Sequence, residues 1–261
     1  MSEGVLRERL RRDHFFQLGV FFVAVVVLAA VFAPWLAPHN PITGDLRNAY
    51  LIRPGSRFLL GTDTQGRDVL SRVLYGARLS LSVGVISQSV SVTLGVLLGL
   101  LAGYYGRWVD ALVMRLADIT LAFPTLLLLI AVAAAVKPSL PLVFVVIGVV
   151  GWAGMARLVR SQVLILRNSE FVVAARALGA RDRRVLLRHL LPNVRTQVII
   201  AATLGIAGAI MAEAALSFVG LGAQPPTPSW GAMVADGRDL LRVAPWISFA
   251  PGLAIGVAVL G

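Results

Sequence analysis

The chain alternates between long apolar runs and short segments rich in charge, glycine and proline. The first run, Phe15 to Leu36, ends where Pro34, Pro38 and Pro41 break the pattern. A second covers about Leu79 to Gly103, a third about Ala111 to Val136, a fourth about Leu140 to Ala156, and a fifth about Thr196 to Phe218. About 20 mostly apolar residues suffice for a helix to cross a bilayer, so each run predicts a membrane-spanning helix. The last run, Trp246 to Gly261, has 16 residues. At 1.5 Å per residue it covers about 24 Å of the roughly 30 Å hydrocarbon core, so the chain is expected to stop inside a sixth helix. The prediction is an all-α, polytopic membrane protein with six transmembrane helices, the last truncated.

Composition agrees. Of 261 residues 57% are hydrophobic and 14% charged, which excludes an ordinary cytosolic enzyme. The formal charge is +11 and every basic residue except Lys137 is arginine. In a membrane protein such an excess marks cytoplasmic segments rather than nucleic-acid binding. Arg7, Arg9, Arg11 and Arg12 precede the first span, which lacks the short core and small-residue cleavage site of a signal peptide. The segment 157–195 carries nine arginines against Glu170 and Asp182, a higher density than the six in 37–78 (47, 53, 57, 67, 72 and 78). In that earlier segment Asp45, Asp63 and Asp68 are available to pair with some of the arginines. The N-terminus and 157–195 are therefore assigned to the cytoplasm, and 37–78 and 219–245 to the outside. The organisation read from the chain is a first part, 1–36, an outer loop, 37–78, and a five-helix core, 79–261, that contains the basic loop.

The chemistry is sparse. No G-x-x-x-x-G-K-[ST] phosphate loop occurs, and neither does H-E-x-x-H or G-x-S-x-G. Cysteine is absent, and His14, His39 and His189 are far apart in sequence, so neither a metal site nor a cofactor site is expected in this chain. Asp118 and Glu213 lie within predicted spans. They are open to three readings: an acid pair doing intramembrane catalysis or proton relay, a lining of a substrate path, or helix pairing near span ends. In the second span Gly95, Gly99 and Gly103 recur at intervals of four, which puts them on one face where a neighbouring helix can approach closely.

The basic loop holds the most specific pattern. Glu170 to Gly179 reads as a helix that ends at a glycine, and Arg181 to Leu191 as a second helix that ends before Pro192. Solvated arginines alone do not explain the Ala174-Ala175 pair, Gly179, or the regular apolar positions Val185, Leu186, Leu190 and Leu191. Two short helices about a glycine joint form a docking knob.

This loop resembles the EAA motif of binding-protein-dependent ABC importers: Glu-Ala-Ala, three residues, Gly, nine residues, Ile, one residue, Leu-Pro. Ala174, Ala175, Gly179, Leu191 and Pro192 match in register, while Val173 replaces the glutamate and His189 the isoleucine. Glu170 lies one helical turn earlier. Further segments are similar to the second permease subunit of dipeptide, oligopeptide and nickel importers: Gly61-Thr62-Asp63 with Gly66-Arg67-Asp68, Tyr75 to Arg78, Ala214 to Gly222, and Gln224 to Gly231.

The resemblance implies the permease fold of type I ABC importers in a prokaryotic inner membrane. It also implies a pairing with a homologous permease, two cytoplasmic ATPases that use ATP and Mg²⁺, and an external solute-binding protein. Residues 170–192, with Glu170, Ala174, Ala175, Gly179, Leu191 and Pro192, become the ATPase-coupling segment, and Glu213 and Asp118 become candidates for the translocation path. The expected cargo is di- or oligopeptides, with nickel chelates or glutathione as alternatives. An intramembrane enzyme that uses Asp118 and Glu213 is the competing class.

Overall fold

The computed structural model describes residues 14–135 and 139–261. The readings of Arg7, Arg9, Arg11, Arg12 and Lys137 lie outside the described residues. The described chain is mostly helical with irregular connections, and the strand-like pairing found there is an isolated bridge between Thr62 and Asp68. Among the described residues four helices are long and apolar enough to cross a membrane, or five if a bent pair is counted as one span. The chain divides into two units, residues 14–83 with 139–140 and 210–261, and residues 84–135 with 141–209.

The first helix, α1 (His14–Leu36), coincides with the first apolar run. Only Val26, Ala30 and Ala33 of it are buried, as expected of a helix that meets lipid on most of its surface. The second, α2 (Val69–Tyr105), begins ten residues before the predicted start at Leu79. Its 37 residues extend over about 55 Å, well beyond a hydrocarbon core. Hydropathy located the later part of this helix, but its first turns, which carry Arg72 and Arg78, are held by tertiary contacts that no hydropathy pattern contains.

The third run is broken. Helix α3 (Arg107–Ala122) and helix α4 (Thr125–Ala134) meet at an 89° bend. Pro124 disfavours the helical conformation for the residue before it, and Phe123 is accordingly extended at φ −93°, ψ 139°.

The fourth helix, α5 (Leu140–Leu166), continues ten residues past Ala156 into the basic segment. After it come α6 (Glu170–Ala177) and α7 (Asp182–Phe218). Pro192 was expected to end a helix, yet α7 runs through it. Proline lacks an N–H and its ring crowds the carbonyl one turn earlier. A π-helical turn at Val185–Leu190, with Leu191 N–H bonded to Leu186 O, widens the helix at the position where Pro192 needs room. The chain ends in α8 (Trp230–Gly237) and α9 (Trp246–Leu260), the latter with Pro251 inside it.

Each unit has its own packing. In the unit that holds residues 14–83 and 210–261, Val69, Met233, Ala244 and Ile247 form a buried cluster, so residues of the two segments assigned to the outside pack on the start of α2. In the other unit, α2 lies against α5 with glycines at the interface. A Cβ at Gly95 would fall 2.5 Å from Met155 Cβ, one at Gly99 2.6 Å from Ala156 O, and one at Gly103 2.7 Å from Val163 Cβ. The four-residue spacing therefore marks the line along which the two backbones approach.

Candidate functional site

The segment 170–192 is built from α6 and the first turns of α7, joined at Gly179. Helix α6 ends in a Schellman motif: Ala180 N–H bonds to Ala175 O and Gly179 N–H to Arg176 O, with Gly179 at φ +81°. Nothing lies within 4 Å of a Cβ built at Gly179, so the glycine is required by its left-handed conformation and not by crowding. Val172, Val185 and Leu190 face inward and join Val159 and Val163 of α5 in one buried cluster. The outer face is apolar and open: Leu178 is 89% exposed, with Val173, Phe171 and Leu187 also exposed.

Of the residues singled out from sequence, Glu170, Ala174, Gly179 and Pro192 are exposed, and Ala175 and Leu191 are half-buried. Glu170 sits in the first turn of α6, where a carboxylate favours the helix N-terminus. Side chains also tie the segment to the end of α2. Tyr104 donates its hydroxyl to Asp182 Oδ1 at 2.7 Å, the Arg176 guanidinium lies 4.8 Å from the Tyr104 ring centroid, and Arg167 Nη1 donates to Gly103 O at 3.1 Å.

Asp118 and Glu213 belong to different units. Asp118 accepts from Arg157 Nη2 at 2.5 Å with about half of each side chain exposed. Arg160, three residues further along α5, engages both carboxylate oxygens of Asp110. Together the pairs join α3 to α5 in antiparallel order.

Glu213 is 1% exposed and is held by hydroxyls. Ser217 Oγ donates to Oε1 at 2.6 Å, Ser229 Oγ to Oε1 at 2.8 Å, and Ser80 Oγ to Oε2 at 3.4 Å. The carboxyl group thus joins α7, the start of α8 and α2. Helix α7 closes on Gly220, at φ +82°, with Leu221 N–H bonded to Leu216 O, and this turns the chain back toward the knot. Trp230 follows Ser229 and donates its indole N–H to Val73 O at 2.9 Å. Gly76 leaves room for that ring, since a Cβ there would lie 2.7 Å from Trp230 Cδ1.

The remaining sequence segments meet in the same unit. Arg67 Nε donates to Asp63 at 2.6 Å, Arg72 lies 3.6 Å from the same carboxylate, and Trp246 donates to Thr62 O at 3.1 Å. Two of the six arginines in 37–78 therefore share one buried carboxylate. Asp68 accepts from Ser71 and lies 3.6 Å from His39 Nδ1. Burial pushes the Asp236 carboxyl above its usual range, and the charges of Arg72 and Arg67 oppose this. Among the described residues no three His, Cys, Asp or Glu side chains are grouped to hold a metal ion.

Residues 95–261 match the family of binding-protein-dependent transport system inner membrane components. The chain belongs to this family. Residues 5–54 of the permease match the N-terminal transmembrane domain of oligopeptide transport permease C. It is 42% identical over 254 residues to a dipeptide transport system permease protein of Alkalihalophilus pseudofirmus, covering 97% of this chain and 83% of that one. It is 44% identical over 248 residues to a di/tripeptide permease protein of Pseudomonas aeruginosa (93% and 82%), and 41% identical over 256 residues to a glutathione permease protein of Escherichia coli (97% and 83%). As an ABC importer permease it is a multi-pass membrane protein and a transport subunit that works with ATPase and binding-protein partners.

Sequence reasoning missed several residues that organise the permease. Nothing in the sequence connects Ser80 to Glu213, 133 residues away. Tyr104 and Asp182 carried no signal of their partnership, and Arg157 was counted only as loop charge. For Ser229 and Trp230 the available signal was their place in a motif, which does not reveal their contacts.

Proposed function

We propose that this permease forms half of the membrane path of an ATP-driven importer of di- or oligopeptides. The observation that carries the substrate class is the 42% identity to a dipeptide permease protein along 97% of the chain. In this reading a homologous permease supplies the other half, two ATPases binding ATP and Mg²⁺ sit on the cytoplasmic face, and a solute-binding protein delivers cargo from outside. The absence of a phosphate loop from the sequence supports placing hydrolysis in the partners.

The N-terminus is cytoplasmic and there are six spans, with α3 and α4 as one bent crossing and the 15-residue α9 as the sixth. The clustering of the 37–68 and 219–245 segments around Val69 and Ile247 supports a common side for both. Residues 170–192 seat in the ATPases, with the exposed Leu178 at the centre of contact and arginines around it. ATP-driven motion of the partners then alternates access to the two sides.

Asp118 with Arg157 faces the path or the second permease, because a half-exposed ion pair on spanning helices is unfavourable against lipid. The three serines on Glu213 support a tying role for that residue in place of a path-lining one. Glutathione is the second cargo reading, favoured by the 41% identical glutathione permease protein.

The test is uptake by the whole importer in proteoliposomes, with labelled dipeptide in competition with glutathione. Saturable dipeptide uptake that glutathione does not displace supports the first reading. Uptake of glutathione alone overturns it.

A further inference from the structure

We propose that Tyr104 is the positioning residue through which the segment 170–192 carries α2 with it when the ATPases move, an inference that rests on reading that segment as the ATPase contact. Helices α5 and α7 are joined to the segment by the chain itself. Helix α2 is not, and its end meets the segment through side chains alone.

Tyr104 stands in the last turn of α2 and is 8% exposed. Its hydroxyl donates to Asp182, the first residue of α7, at 2.7 Å. Its ring carries the guanidinium of Arg176, in the last turn of α6, at 4.8 Å. One side chain thus touches both limbs on either side of Gly179. Arg167 adds a bond to Gly103 O at 3.1 Å, beside Tyr104 at the carbonyl end of α2, where a cation is favoured.

The contacts differ in what they transmit. Apolar packing among Leu100, Val172 and Val185 is non-directional and permits sliding. A hydrogen bond from a hydroxyl to a carboxylate is directional and stronger than a neutral one, and it is partly shielded from water here. The bond therefore fixes the register between the end of α2 and the segment, while the valines beneath supply cohesion. A rigid transfer of displacement into α2 requires the former.

The test uses the complete importer, with both permeases, both ATPases and the binding protein, in proteoliposomes where uptake and ATP hydrolysis are read from the same vesicles. Tyr104→Phe keeps the ring and the Arg176 contact but removes the bond to Asp182. It is expected to lower uptake per ATP about tenfold or more, the scale of one lost hydrogen bond to a charged group. Assembly and the hydrolysis rate stay near wild type.

Asp182→Ala should reproduce that loss and Asp182→Asn, which keeps an acceptor oxygen, should restore the ratio. The Tyr104→Phe/Asp182→Ala pair should be no worse than either single variant. If Tyr104→Phe does not assemble, the Ala and Asn variants at exposed position 182 carry the test alone. A wild-type ratio in Asp182→Ala, or an additive double variant, overturns the proposal.

Leu178→Asp, assayed in parallel, separates the two levels. If it leaves the ATPases bound and coupled, the reading of the segment as the ATPase contact fails and takes this proposal with it. If it uncouples them while Tyr104→Phe does not, the role of Tyr104 alone is rejected.

Discussion

Ser229 donates its hydroxyl to Glu213 Oε1 at 2.8 Å, sixteen residues back along the chain and across the turn that ends α7. Because Ser217 bonds the same oxygen and also accepts from Ala223 N–H, one buried carboxyl group holds the helix end, the turn and the start of α8 together. The Gln224 to Gly231 motif can thus be understood as a cap drawn onto Glu213.

Glu213→Leu leaves these serines without their acceptor and is expected to destabilise the permease by about 3 kcal/mol, whereas Glu213→Gln, which keeps an acceptor oxygen, costs about 1 kcal/mol. Thermal unfolding of the purified complex in detergent measures both. A Leu variant as stable as wild type would show that the knot is not structural.

Gly179 is left-handed in open space, so the penalty on replacing it is conformational. Asparagine tolerates that region, while a β-branched residue costs about 1–2 kcal/mol there and favours another backbone path. Gly179→Asn is expected to transport at close to the wild-type rate, and Gly179→Val to be inserted yet uncoupled from ATP hydrolysis. Uptake and ATPase activity in vesicles decide the matter, and equal coupling of the two variants contradicts it.

Gly99 faces the Ala156 carbonyl, so Gly99→Leu must push α2 away from α5. Loss of folded yield or of more than about 3 kcal/mol of stability is expected. Gly154, also on α5 but with nothing within 4 Å of a built Cβ, is the control, and Gly154→Ala should be neutral or mildly stabilising. Similar behaviour of the two variants in the same thermal assay counts against close α2–α5 packing.

The topology can be tested because the chain has no cysteine. Ser56 and Arg183 are both exposed. Ser56→Cys should react with an impermeant thiol reagent added outside intact cells, and Arg183→Cys only after the membrane is opened. The opposite pattern reverses the orientation.

Hydropathy and composition by themselves determined that this is a helical membrane protein, because a bilayer requires long apolar helices whatever their neighbours are. Gly179 marked the end of a helix in advance, since a left-handed helix end demands glycine locally. Where helices end was less legible. Val69 to Leu79 carries Arg72 and Arg78 yet is helical because it packs on residues of the 37–68 and 219–250 segments, Pro124 breaks its span, and Pro192 does not break its own because a π-turn makes room. The partners of Glu213, Asp118 and Tyr104 were decided only by tertiary structure. Ser80 meets Glu213 across 133 residues and Tyr104 meets Asp182 across 78. A hydrogen bond depends on a few ångströms in space, a quantity that separation along the chain does not encode.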